Sequence, residues 1–118
     1  MKEEIDLDCT FCKIIVGELP CKKIYEDDLA IVISDINPVA KIHVLVIPKI
    51  HVTSLGLLSA LDEKMLGHLI RMAATVSKTL DVAKSGYRVL VNQGQDAGQL
   101  VEHLHMHVIG GQPLQSMG

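Results

Sequence analysis

Tryptophan is absent from this 118-residue chain, and Phe11, Tyr25 and Tyr87 are its only benzenoid side chains. The core must therefore be aliphatic. An excess of charge is lacking too: Lys+Arg 11 against Asp+Glu 14 leaves a formal net charge of −3. That balance offers no electrostatic footprint for nucleic acid or an anionic membrane, so any nucleotide is held by a local site. No apolar run approaches the ~20 residues of a membrane span. The acidic stretch Met1–Asp8 lacks the apolar segment of a signal peptide and reads as a flexible tail, which points to a cytoplasmic protein. Three cysteines (Cys9, Cys12, Cys21) cannot all pair, and reducing cytosol disfavours disulfides anyway. Cys9-x-x-Cys12 thus means metal or redox chemistry before it means a staple.

What is present is a foldable aliphatic chain. At 48% hydrophobic and 21% charged residues it can bury a real core, and its length suits one domain, residues 1–118. Residues 10–17 read as a short helix with Thr10 as its cap and Gly17 as its stop. Lys22–Glu26 and Leu29–Asp35 read as strands of a hairpin turning at Asp27-Asp28, and Asn37-Pro38 is a turn. Lys41–Pro48 is β-branched and nearly continuous in apolar residues, the pattern of a central strand buried on both faces.

Leu58, Leu61, Met65, Leu69, Met72, Val76 and Leu80 then form one stripe of an amphipathic helix. Ser59 with Asp62 caps its start, and Gly86 lies past its end. Strands Tyr87–Asn92 and His103–Ile109 follow, joined by a loop rich in Gly, Gln and Asp. Strands and helices do not alternate regularly, so the fold class is α+β with a mostly antiparallel sheet.

The segment His103-Leu-His-Met-His-Val-Ile109 carries most of the chemistry. Alternation along a strand puts His103, His105 and His107 on one face while Leu104, Met106 and Val108 point into the core. Neutral imidazole can attack or accept a proton with one nitrogen while a neighbour holds the other. Such a row also suits zinc, since His-x-His on a strand can chelate. The preceding loop Asn92-Gln-Gly-Gln-Asp-Ala-Gly-Gln99 favours phosphate chemistry, because Gly94 and Gly98 let backbone N–H groups approach an anion closely.

Residues 103–109 match at every position the pattern His-φ-His-φ-His-φ-φ, with φ hydrophobic, and the chain resembles the histidine triad (HIT) proteins. The resemblance extends through Asp35-Ile-Asn-Pro38, His43-Val-Leu-Val-Ile-Pro-Lys49, Gly86-Tyr-Arg-Val-Leu-Val-Asn92 and Gly98-Gln99. Together these resemble the histidine triad nucleotide-binding branch, small purine-nucleotide phosphoramidases. The resemblance implies a five-stranded sheet with one long and one short N-terminal helix, and a homodimer that joins two such sheets. It implies that His105 attacks the α-phosphorus, forming a nucleotidyl-histidine that water resolves. His107 would contact the phosphate and assist the leaving group, His103 would orient the row, and His43 would support the nucleophile.

The same resemblance assigns the nucleotide. Asn92 and the segment Gly98-Gln99-Leu100-Val101 would hold phosphate oxygens, Asp35 the ribose hydroxyls, and Ile36 a wall of the base pocket. Leu100 departs from the branch, which often has Ser there, so a hydroxyl contact is missing. The ending Gln115-Ser-Met-Gly118 lacks the Trp-Pro-Pro-Gly of close relatives. Several bacterial HIT proteins carry two N-terminal cysteines that bind zinc with two histidines, and the matching positions here are Cys9, Cys12, His51 and His103. That zinc would be structural, with no metal required for catalysis. A non-catalytic purine-nucleotide module (binding AMP or GMP) and a dinucleoside polyphosphate hydrolase stand as alternatives. Neither nucleic acid nor a membrane is expected as a partner.

Overall fold

The computed structural model of the chain describes residues 2–3 and 8–116. In chain order it runs β1 (Lys2–Glu3), α1 (Thr10–Ile15), β2 (Lys23–Glu26), β3 (Ala30–Ser34), β4 (Ile42–Pro48), β5 (His51–Val52), α2 (Glu63–Thr79), β6 (Tyr87–Leu90) and β7 (Met106–Gly110). Five strands make one sheet in the order β2-β3-β4-β7-β6, antiparallel at every pairing. The α+β expectation of a five-stranded sheet with one long and one short helix holds. Of the expected tail 1–8, Lys2 and Glu3 pair with β5, Asp8 lies in a turn, and the rest falls outside the described residues. Among the described residues no helix is long and apolar enough to cross a membrane.

β4 is buried on both faces, as its sequence requires. Val44 and Val46 pack with Leu69, Met72 and Val76 of α2, whereas Leu45 and Ile47 pack with Phe11 and Cys12 of α1. A 17-residue helix covers the first face, but α1 has only 6 residues and covers part of the second. The uncovered remainder of that face is where the site lies.

Several local features differ from the sequence reading. Cys9, not Thr10, caps α1: its Sγ accepts the Cys12 N–H at 3.4 Å, so the Cys-x-x-Cys loop itself starts the helix. Ser59 and Asp62 do form a capping box, but the turn they open, Ala60–Asp62, is 3-10. At about three residues per turn its side chains advance faster than in an α-helix. Leu61 therefore swings off the apolar stripe and stands 91% exposed. Beyond α2 Gly86 does lie past the end at φ +112°, but the chain first turns left-handed at Asp81 (φ +61°), five positions earlier.

The last strand is also shorter than its sequence implies. His103 and His105 precede β7, because Leu104 N–H donates to the Val52 carbonyl at 2.6 Å and not to β4. The backbone stays extended enough for alternation to survive, with Leu104, Met106 and Val108 all in the cluster under α2.

Candidate functional site

His103, His105 and His107 share the face of the sheet that α1 partly covers. Phe11 meets His105 edge-on at a centroid separation of 4.9 Å, and the His105 and His107 rings lie 5.0 Å apart. His105 is buried, and its Nδ1–H donates to the His103 carbonyl at 2.7 Å. Only a protonated Nδ1 can make that bond, so in the neutral imidazole it is Nε2 that carries the lone pair.

A second chain of hydrogen bonds sets the tautomer of His107. Val39 N–H donates to His43 Nδ1 at 3.1 Å, which places the His43 proton on Nε2. That Nε2 lies 2.9 Å from His107 Nδ1 and 3.3 Å from Asp35 Oδ2. In the neutral site His43 donates to His107, and the proton of His107 sits on its own Nε2. The row thus presents an unprotonated nitrogen on His105 beside an N–H on His107.

These two rings line a cleft of about 250 Å³. Asp35, Ile36 and Asn92 line it as well, together with Gly98, Leu100 and Val101. Phe11, Ile14, Ile33 and Leu45 complete an apolar floor. Gln99 is not on the lining. Its side chain closes the loop instead, accepting from Gly94 N–H at 2.8 Å and donating to the Val101 carbonyl at 3.1 Å. Gly94 and Gly98, both at φ +87°, make the loop's reversals in a region that other residues resist.

Burial pushes His107 from the ordinary 6.5 down to about 4, aided by His105 and His43 and opposed by Asp35. Burial lowers His43 as well, with Asp35 again opposing. Both rings are thus neutral at pH 7. A depressed histidine contributes stability that is present above the unfolded value and lost as pH falls through the folded one. Stability should therefore decline between pH 6.5 and about 4 as the unfolded chain takes up protons first. Urea midpoints across that range should show the decline, and His107→Asn should flatten it.

At the other end of the row, the Sγ atoms of Cys9 and Cys12 and the Nδ1 atoms of His51 and His103 lie within 4.8 Å of one another, all four residues being buried. Cys9 Sγ is 3.2 Å from His103 Nδ1, Cys12 Sγ is 3.4 Å from His51 Nδ1, and the two Nδ1 atoms are 3.2 Å apart. Zinc bonds of about 2.3 Å to sulfur and 2.0–2.1 Å to nitrogen at tetrahedral angles would set such donors roughly 3.3–3.8 Å apart. His103 Nε2–H donates to the Pro48 carbonyl at 2.9 Å, which leaves Nδ1 as the ligating nitrogen. The residues present fit a closed tetrahedral zinc.

The HIT-domain family model matches residues 16–114. The chain belongs to the HIT family. Over 107 residues this HIT protein is 41% identical to the purine nucleoside phosphoramidase of Escherichia coli (strain K12), covering 91% of this chain and 90% of that one. A histidine triad protein from Clostridium difficile superposes with a TM-score of 0.92 at 39% identity, covering 96% and 98% of the two chains. A zinc-bound histidine triad family protein from Mycobacterium smegmatis gives a TM-score of 0.75 at 31% identity, over 90% and 76%.

The triad histidines share one face, with His43 beside His107 and Asp35 beside His43. Of the nucleotide residues expected from the motifs, Gln99 is off the cleft lining. What the motifs missed are Phe11, which packs on two of the triad rings, and Val39, whose backbone amide sets the His43 tautomer. Phe11 carried one signal, as the sole phenylalanine beside the cysteine pair. A backbone donor leaves no trace in side-chain identity.

Proposed function

We propose that this protein hydrolyses purine nucleoside 5′-phosphoramidates, releasing a nucleoside 5′-monophosphate and an amine. The observation that carries the reading is the bond from His105 Nδ1–H to the His103 carbonyl, which leaves an unprotonated Nε2 on a ring lining the cleft. Sequence identity of 41% to a purine nucleoside phosphoramidase supports the reaction class.

His105 Nε2 attacks the α-phosphorus and the bond to the amine nitrogen breaks. The bound phosphate anion favours the imidazolium of His107 that burial disfavours in the free site, and Asp35 supplies counter-charge beside it. As imidazolium, His107 hands a proton to the leaving nitrogen and then, neutral, takes one from the water that cleaves the phosphorus–His105 bond. Asn92 and the backbone of Gly98, Leu100 and Val101 hold phosphate oxygens, while Asp35 and Ile36 receive ribose and base. Cys9, Cys12, His51 and His103 hold a structural zinc that secures His103, and with it the carbonyl that orients His105.

The reading extends to a cytoplasmic homodimer. β6 is an edge strand with Val89 exposed on it, which suits pairing with a second sheet. Incubation with adenosine 5′-phosphoramidate, quenched into alkali, should yield AMP and a nucleotidyl adduct mapped to His105. A folded, AMP-binding protein that releases no AMP would contradict the proposal.

A further inference from the structure

Leu100 lines the cleft with its side chain, yet the displacement itself makes no use of it. Its side chain is 94% exposed, an unusual setting for leucine beside a reaction centre. It borders two cavities: the cleft of about 250 Å³ that holds His105 and His107, and a second of about 300 Å³ reached past it. Thr10 and Val101 border both as well, so the cavities meet along a strip made of these three residues. Beyond the strip the second cavity is lined by Asp8, Thr53 and Glu102, with Cys9 and His51 of the Cys–His cluster on its wall.

Resting on the hydrolase reading above, the nucleoside fills the Asp35–Ile36 end of the cleft. The group on the far side of the phosphorus is then directed at the Leu100–Val101 end. We propose that Leu100 determines leaving-group specificity, and that it selects amines whose first carbons are apolar and lie across it into the second cavity. An exposed leucine loses water-facing area when such a chain covers it, and a compact or oxygen-bearing amine gains less. Because the contact is made on the departing half of the substrate, its energy is read in kcat/KM.

The test compares adenosine 5′-(N-butyl)phosphoramidate with its N-(2-methoxyethyl) counterpart, which is similar in size but carries an ether oxygen in place of one methylene. The readout is the ratio of their kcat/KM values in wild type, Leu100→Ser and Leu100→Met. Intrinsic leaving-group reactivity is common to all three proteins and cancels. The butyl preference should fall about three- to fivefold in Leu100→Ser, the scale of one methylene contact, and persist in Leu100→Met. An unchanged ratio in Leu100→Ser, with both substrates turned over, would overturn the inference while leaving the hydrolase reading intact. So would an unchanged ratio accompanied by a changed oligomeric state, which would assign Leu100 to a contact between copies. No turnover of either substrate by wild type would sink the hydrolase reading, and this inference with it.

Discussion

His105→Asn should lower turnover of adenosine 5′-phosphoramidate at least about 10³-fold while leaving a folded protein that binds AMP. Asparagine is the informative replacement because its amide N–H can still donate to the His103 carbonyl, now held at 2.7 Å by Nδ1. The backbone carbonyl of this buried position thus keeps a partner, and what is lost is the lone pair of Nε2. The neighbours most exposed to disturbance are Phe11 and His107, whose rings lie 4.9 and 5.0 Å from that of His105. Calorimetric AMP binding and a melting curve on the same sample separate loss of chemistry from loss of structure. If the variant binds AMP and still hydrolyses at more than a tenth of the wild-type rate, His105 is not the nucleophile. If neither protein hydrolyses while both bind AMP, the pocket belongs to a nucleotide-binding module.

Disrupting the Cys–His cluster should act on stability more than on chemistry. Cys12→Ser puts a poor zinc ligand at a position that is 1% exposed, beside His51 and His103. Metal bound only by the folded state adds its binding free energy to folding, so losing it lowers the melting temperature. We expect a drop of at least about 10 °C, corresponding to a few kcal/mol for a domain of this size. Chelation of the zinc-loaded wild type should produce a similar drop. Turnover per folded molecule should fall by less than about tenfold, because the cluster reaches the nucleophile only indirectly, through the His103 backbone and through Phe11 between the two cysteines. Equal melting curves before and after removal of a full zinc complement would show that the metal is not structural.

The two predictions draw on one stretch of chain, yet its parts were legible to different degrees. Alternation over 103–109 predicted which side chains enter the core and which form the row. That held even though β7 begins only at Met106, since alternation needs an extended backbone and not a sheet partner. The burial of β4 on both faces was readable for the same local reason. Leu61 was misplaced because the stripe assumed α-helical spacing through a turn that folds as 3-10. Thr10 was preferred to Cys9 as a cap because hydroxyls usually take that role, whereas here a sulfur does.

The sequence by itself determined the elements, the strand that sits at the centre and the residue types of the site, because each of these follows from periodicity within a few residues. Tertiary structure alone decided how distant pieces combine into chemistry. Cys9 meets His103 across 94 positions, and His43 meets His107 across 64. The choice of ring nitrogen at His105, His103 and His43 was settled by backbone groups of His103, Pro48 and Val39, which any residue type would supply. Whether an imidazole is nucleophile, proton donor or metal ligand depends on which nitrogen a neighbour occupies, and that neighbour is chosen by the fold.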